Sequence, residues 1–510
     1  MSATRPPPEQ SVRAVLALCS PPATLERLQA KRSLRLQRIY EVIASDGNPL
    51  TLVLDPPSML RLLRSEQWMI KSEAAVVGWI RETLHKEDRG TRTENTPSAE
   101  DPGGSQHSTE GQKLPVHTPE PPSHLSDLAP YLPVLIRHSP TAKELGSAYS
   151  IFRPSLGSPI AFLEPSLSSS ERQTVDVEIG RLFRRLSRLT SPSGRFGPVA
   201  AVLSGAASSP HTANPGIMTS GGASTWSVAF HSILESVLRD GEDMAVTLPY
   251  SAIRKQFFRL QYQLDFVETP RLVVLDGSQD SNVLVARTAD LATLVTDTKQ
   301  QGRRIPRTTI DADAHSSGGD DDDSNDTDDD ETTDREVSDK NVIEEAEKEQ
   351  AGGGAEHSED LGGEIGRAIS VTGLQDWSGC VFGDPLLAWA FNNDPSLDFL
   401  RGFSDSYRET PLSELGLESR LIEDGEGAPA RLLLYRVYHT VSSVVKEFYR
   451  PEAGSSEREL AARRRLKRLL TSLNELEDDP KRRHRRPTSD MSPAKKPRPD
   501  DGVNERAHTP

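Results

Sequence analysis

The sequence has two cysteines in 510 residues, Cys19 and Cys380. That scarcity excludes the disulfide framework of a small secreted scaffold and fits a reducing compartment, with both thiols expected to be buried. Aromatic residues supply 5% of positions and hydrophobic residues 35%, against 38 prolines and 35 glycines. Such a composition leaves a sizeable part unfolded, while the remainder still suffices for one large core. No apolar run approaches the roughly 18 residues of a membrane span. The Ala14–Cys19 run, behind a proline-rich start, is too short for a signal-peptide core. A soluble intracellular protein with no membrane association is therefore expected, cytoplasmic unless its basic tail directs nuclear import. No internal repeat is visible, which sets aside solenoids and propellers.

Charge of one sign is concentrated rather than general. Residues 311–360 hold 21 acidic and 3 basic side chains, a local −18 against a total of −16, so the rest sums to about +2. The acidic block is expected to be self-repelling and extended, and available to a basic protein partner or to the chain's own basic tail. That tail carries Arg463-Arg464-Arg465-Leu466-Lys467-Arg468, then a cluster from Lys481, then Lys495-Lys496. Such clusters suit nuclear import. Nucleic-acid binding is not expected, because no aromatic residues interleave with the basic ones.

Ordered segments stand out by periodicity. Val12–Leu28 reads as a short helix broken by Pro21 and Pro22, and Leu36–Ile43 and Leu50–Leu54 as strands. Ser45-Asp46-Gly47-Asn48 between them makes a good hairpin turn, since Asp, Gly and Asn tolerate positive φ. Ser72–Leu84 is an amphipathic helix. LPVLIRH and AYSIFRP read as strands, and Ser168–Leu189, Trp226–Arg239, Pro249–Leu264 and Ala430–Phe448 as helices. Leu272–Leu275, Asn282–Ala286 and Ile369–Leu374 read as short strands at polar turns. The fold class is α+β in two lobes, with a small β-rich N-lobe over residues 12–85 and 128–154 and a mainly helical C-lobe over 155–299 and 366–470. Residues 1–11, 86–127, 300–365 and 471–510 are expected to be disordered.

Two stretches carry the chemistry: PRLVVLDGSQDSNVLV from Pro270 and ISVTGLQDWSGCVFGDPLLAW from Ile369. Each is a strand entering a polar turn, with Asn282 in one and Asp376 in the other. An amide and a carboxylate at strand ends suit hard divalent cations, which take oxygen ligands. The plainer alternative is that both cap turns through Asx hydrogen bonds.

The ordered series resembles the aminoglycoside phosphotransferase family of the protein-kinase-like fold, as a divergent fungal-type member. SDGNPLTLVLDPPSMLRLLRSEQWMIKSEAAVVGWI is similar to that family's small-lobe hairpin and following helix. PRLVVLDGSQDSNVLV resembles its catalytic loop, usually HGDxxxxN, and GLQDWSGCVFGDPLLAWAF its metal-binding IDWE…GDP segment. The resemblance covers roughly residues 12–470 less the two insertions. It implies ATP and Mg²⁺ as cofactors, phosphoryl transfer to a small-molecule hydroxyl, Asn282 and Asp376 as metal ligands, and Glu73 as the helix carboxylate of the nucleotide site's ion pair.

Three departures qualify what the resemblance implies. Aligned through Asn282, the catalytic aspartate falls on Gly277, leaving Asp276 one residue early as the candidate base. The lysine expected near Val53 is missing, for Leu50–Leu54 contains none. No glycine-rich phosphate loop precedes Tyr40. Lys71, Arg61 or Arg64 could supply the missing charge, Asp280 has a surface role, and Asp384 anchors a turn. These departures set an ATP-dependent phosphotransferase against a catalytically inactive, pseudokinase-like binding or scaffold protein.

Overall fold

The computed structural model describes residues 6–19, 23–94, 125–141, 143–204, 221–288, 369–404 and 420–476. The chain divides into one unit of Met1–Arg287 with Ile369–Pro510 and a second of Thr288–Ala368. The second holds the acidic block, which lies outside the described residues, as do most of the 86–127 insertion and the basic tail beyond residue 476.

The first unit has the two-lobed α+β layout expected from the sequence. Its N-terminal lobe begins with α1 (Glu9–Cys19) and a five-stranded antiparallel sheet of β1 (Leu25–Ala30), β2 (Arg38–Ala44), β3 (Pro49–Leu54), β4 (Val134–Ser139) and β5 (Tyr149–Arg153), in the order β1-β2-β3-β5-β4. The predicted hairpin is present, with β2 pairing β3 from Arg38↔Leu54 to Ile43↔Pro49. Leu25–Ala30, expected at the end of a helix, is instead an edge strand paired with β2. The helix ends at Cys19, and Leu25 buries against the sheet while Glu26 and Arg27 face solvent. Val12, Val15 and Leu16, spaced for one helix face, pack α1 onto the same small core as Tyr40, Leu52 and Ile151. The helix expected over Ser72–Leu84 is α2 (Met69–Glu94), longer than the periodicity alone implied.

The C-terminal lobe is mainly helical. After the short strands β6 (Ser158–Pro159) and β7 (Gly197–Pro198) come β8 (Arg271–Val274), β9 (Val283–Arg287), β10 (Ile369–Leu374) and β11 (Cys380–Gly383). The helices are α3 (Ser169–Leu186), α4 (Val199–Leu203), α5 (Trp226–Asp243), α6 (Tyr250–Leu264), α7 (Trp389–Asn392), α8 (Leu397–Phe403), α9 (Ala428–Tyr449) and α10 (Ser455–Glu475). These six strands form two three-stranded sheets, β10-β9-β6 and β7-β11-β8. Their apolar side chains, with those of α2, α3, α5, α6 and α9, make one core that runs across both lobes. The segment entering α2 is tied to the C-lobe: Arg64 pairs with Asp243 at 2.7 Å and its N–H donates to Asp240, while Arg450 holds Glu66 through two bonds of 2.7 Å. Such bidentate arginine contacts fix orientation as well as supplying attraction.

Asp384 is a structural anchor. Its side chain is 1% exposed, caps the turn through the Leu386 N–H, and accepts from Arg431 Nε and the Tyr435 hydroxyl, both at 2.8 Å. Close by, the His439 Nε2–H donates to the Leu387 carbonyl at 2.7 Å. Burial pushes this imidazole down to about 4, against a smaller opposing pull from the Leu387 carbonyl and Asp276.

Two outcomes follow from these anchors. Replacing Arg431 with alanine strands a buried carboxylate and should cost about 3–5 kcal/mol in urea unfolding. An effect below about 1 kcal/mol, the usual size for an exposed pair, would show that Asp384 does not depend on this arginine. For His439, the folded value lies below the unfolded value of about 6.5, so its stabilisation is complete above that pH and is lost as pH falls toward 4. The loss should reach about 3 kcal/mol, and His439→Gln should flatten the stability profile by that amount.

Candidate active-site cleft

Strand register brings the two polar turns together. Antiparallel pairing of β9 with β10 sets Val283 opposite Leu374, so Asn282 and Gln375 leave the ladder side by side. The Gln375 N–H donates to the Asn282 carbonyl at 2.8 Å. Pairing of β8 with β11 does the same at the other ends, with Val274 opposite Cys380 and the Leu275 N–H donating to the Gly379 carbonyl at 2.8 Å. Both turns are therefore clamped at each end by β-ladder bonds.

Within them Asn282 is 5% exposed and fully engaged. Its amide nitrogen donates to the Asp276 carbonyl at 3.3 Å and the Asp376 carbonyl at 3.0 Å, while Oδ1 accepts from the Asp376 N–H at 2.7 Å. Asp376 Oδ1 accepts from the Ser378 N–H at 2.8 Å, an Asx turn. Its other oxygen, Oδ2, lies 3.2 Å from Arg35 Nε, off the hydrogen-bonding direction, so that contact is an ion pair alone.

Arg35 is the residue that sequence reasoning missed. It lies in the β1–β2 connection, at the third cation of Lys31-Arg32-Ser33-Leu34-Arg35, and its side chain is 7% exposed. Nη2 donates to Glu73 Oε2 at 2.6 Å and Nη1 to the Gln375 carbonyl at 2.9 Å. One planar head thus joins the β1–β2 loop, helix α2 and the β10–β11 turn. The cations considered from the sequence are elsewhere: Lys71 lies over the Trp68 ring, Arg61 contacts the Met244 sulfur, and Arg64 pairs with Asp240 and Asp243. Three basic residues in a strand connection were the available signal for Arg35.

Electrostatics follow from burial. Desolvation holds the Glu73 carboxyl above the usual carboxylate range, opposed by Arg35 and the Trp377 N–H and reinforced by Asp376. For Arg35, burial alone would lower its value, yet Asp376 and Glu73 outweigh that and hold it above normal. Burial also pushes the Cys380 thiol well up, with Asp376, Glu73 and Asp276 adding to the rise. Thiolate chemistry is thereby disfavoured at Cys380.

The candidate base and its neighbour are set by packing. Asp276 is partly exposed, and its Oδ1 accepts from the Gln279 side chain at 3.1 Å. The Asn282 side chain bonds the Asp276 carbonyl across the turn, six positions away. Gly277 faces inward: a Cβ there would lie 2.9 Å from Phe183 Cζ and 3.1 Å from Val274 Cγ1. Asp280 is exposed and pairs with Arg172 at 2.8 Å.

Glu73, Asn282, Asp376 and Asp276 are therefore neighbours, but their polar atoms are largely committed to one another and to Arg35. Asn282 has turned its oxygen to a main-chain N–H, and a divalent ion at Asp376 would face the Arg35 cation. Mg²⁺ demands near-octahedral oxygen coordination at about 2.1 Å. As arranged, these residues do not fit it. Among the described residues no group of three or more His, Cys, Asp or Glu side chains is placed to hold a metal ion. The cleft between Val53, Phe152, Leu284, Leu374 and Arg35 has a cavity of about 50 Å³. Small-molecule and cofactor sites run to roughly 300–1,000 Å³.

No family model matches the chain, and no curated protein is similar to it. Among solved structures, a candidate aminoglycoside phosphotransferase of Ralstonia eutropha shares 9% identity at a TM-score of 0.41, over 92% of this chain and 100% of that one. A point mutant of aminoglycoside 2′-phosphotransferase-IIIa in its GDP complex shares 9% at 0.38, over 92% and 98%. A macrolide 2′-phosphotransferase from Brachybacterium faecium shares 10% at 0.33, over 92% and 99%. Similarity at that level leaves function to be read from this chain's own residues.

The inward aim of Gly277 is open to a direct check. Gly277→Ala should destabilise the fold by about 1–3 kcal/mol through overpacking against Phe183. A neutral or stabilising effect in denaturant melts would mean that position 277 faces the cleft after all.

Proposed function

We propose that this chain is a kinase-like phosphotransferase-fold protein working as a pseudokinase-like binding module and not as an ATP-dependent catalyst. The observation that carries this reading is the Arg35 head, which takes Glu73, Asp376 and the Gln375 carbonyl together and leaves about 50 Å³ of the cleft. An ATP site of this design needs a cation on Glu73 that also reaches phosphate, and a free carboxylate for Mg²⁺. Arg35 serves the first carboxylate by occupying the second. The acidic block of residues 311–360 then supplies the charged segment by which the module recruits a basic protein partner.

A second reading has one observation in its favour. Asp276 sits partly exposed at the turn that Asn282 closes around its carbonyl, where a base for a small-molecule hydroxyl would be useful. Titration calorimetry of the full chain with MgATP separates the two. The binding-module reading expects no heat of binding and no rise in melting temperature. A Kd near 1 mM would add about 1 kcal/mol of stability at about 5 mM ligand. Binding of that strength, abolished by Asp376→Ala, would establish the nucleotide site and reject the proposal.

A further inference from the structure

The run Arg463-Arg464-Arg465-Leu466-Lys467-Arg468 lies in α10, which packs on the core through Leu466, Leu469 and Leu473. Burial of those leucines turns the other positions outward, and Arg464, Lys467 and Arg468 are exposed. Only residues 450–454 connect α9 to α10, and the two helices pack side by side, as antiparallel neighbours joined by a short connection do. Arg436 stands thirteen residues before the end of α9 and Arg468 thirteen after the start of α10, which sets them level across the pair. One turn from Arg468, Arg465 donates to the Asn392 carbonyl.

The first half of α10 is matched with acids and the second is not. Arg458 holds Glu447 through two bonds of 2.8 Å, and Arg463 pairs with Glu459 at 2.7 Å. Among the described residues the side chains of Arg464, Lys467 and Arg468 have no hydrogen-bond or ion-pair partner, and Arg436 Nε is buried without an acceptor. The cations act on one another instead: burial, then repulsion from Arg436 and Arg468, holds Arg465 below the usual arginine value, with Asp394 opposing. Like charges three and four apart on a helix repel, and the helix dipole favours cations only in the last turn, which these residues precede. An ordinary solvated face mixes both signs. This one does not.

We propose that the α9–α10 face carrying Arg436, Arg464, Arg465, Lys467 and Arg468 is a docking surface for a short acidic peptide segment of a partner protein. The fit is one of charge and size. From Arg464 to Arg468 the helix rises about 6 Å, and packed helices lie about 8–10 Å apart, so the cations occupy a compact patch. Three or four consecutive acidic residues in an extended segment span about 10–14 Å and can meet them together. Carboxylates are also the planar anions that an arginine fork takes through two bonds. Single-stranded nucleic acid is the poorer match, since α10 has no aromatic residue on which a base could stack. The surface goes beyond the binding-module reading of the cleft: its sign is opposite to that of the acidic block, and it takes a different partner.

The test is fluorescence anisotropy of a labelled oligoglutamate peptide titrated with the full-length protein at about 0.1 M salt, where exposed charges are partly screened. Wild type should bind. The triple variant Arg464→Gln, Lys467→Gln, Arg468→Gln should bind at least about tenfold more weakly, with a melting temperature unchanged or raised because like-charge repulsion is relieved. Replacing Lys481, Arg482 and Arg483 of the tail with glutamine should change the affinity by less than about twofold, which separates the helix face from nonspecific attraction to basic chain. Should the triple variant not fold, Arg468→Gln alone decides, with about threefold weaker binding expected at the wild-type melting temperature. The proposal is overturned if wild type does not bind, if the helix variants bind as wild type does, or if the tail variant loses as much as they do. It is also overturned if duplex DNA of equal charge binds as tightly and with the same sensitivity to the triple variant, for the surface would then serve nucleic acid. MgATP binding by wild type would reject the binding-module reading alone, since no residue of the Arg35 cleft takes part in this titration.

Discussion

Everything specific about this cleft depends on one buried guanidinium. Glu73 is 2% exposed, and a carboxylate so placed needs a partner, because the desolvation of an unpaired charge costs several kcal/mol. In the sheet behind it Val53 is 1% exposed and carries no charge. The partner must come from another element, and it comes from the connection between β1 and β2. An arginine suits this geometry better than a lysine: its planar fork offers donors in several directions, so one head can serve Glu73, Asp376 and a carbonyl together. A lysine ammonium at the same point would have to choose. The loop is thus drawn into the cleft, and cleft volume is lost as a consequence of satisfying Glu73.

A second enclosed ion pair is more completely satisfied. Arg431 and Asp384 are 0% and 1% exposed, and both sit inside the C-lobe. Asp384 has three donors, from the Leu386 N–H, Arg431 and Tyr435; Arg431 also holds Asp424 and the Glu423 carbonyl. By contrast Asp376 is 21% exposed, its contact with Arg35 Nε is ionic only, and an unpaired Gln375 oxygen lies beside it. A fully satisfied polar network rigidifies and specifies its surroundings, as the one around Asp384 does.

Much of this was legible in the sequence. The Asp46-Gly47 turn between alternating apolar runs marked the β2–β3 hairpin, and helical spacing placed Glu73 on the helix that follows. The two strand–turn stretches drew attention to Asn282 and Asp376 because each lies just past an apolar run, and ladder pairing puts them in contact. Arg35 was not legible, since a loop residue 38 positions from Glu73 and 340 from Gln375 reveals its partners only through tertiary structure. Spacing from Asn282 put the resemblance's aspartate position on Gly277 and left Asp276 as the candidate base; that Gly277 packs against Phe183 while Asn282 bonds the Asp276 carbonyl is visible only in the fold. Leu25–Ala30 shows the reverse limit: its apolar residues at three-residue spacing look helical, and only pairing with β2 makes it a strand.

The position of the acidic block explains why a net charge of −16 says so little about the cleft. The block lies between Arg287 and Ile369, and those two residues pair directly across the β9–β10 ladder. With the ladder closed at its base, the intervening chain can lengthen at a cost that grows only logarithmically, so register at Asn282 and Asp376 is indifferent to what is inserted. Among the described residues, the shift at Glu73 follows from its burial and from its neighbours Arg35, Asp376 and the Trp377 N–H. The same closure at the ladder's base makes the length between Arg287 and Ile369 independent of the register within the folded unit.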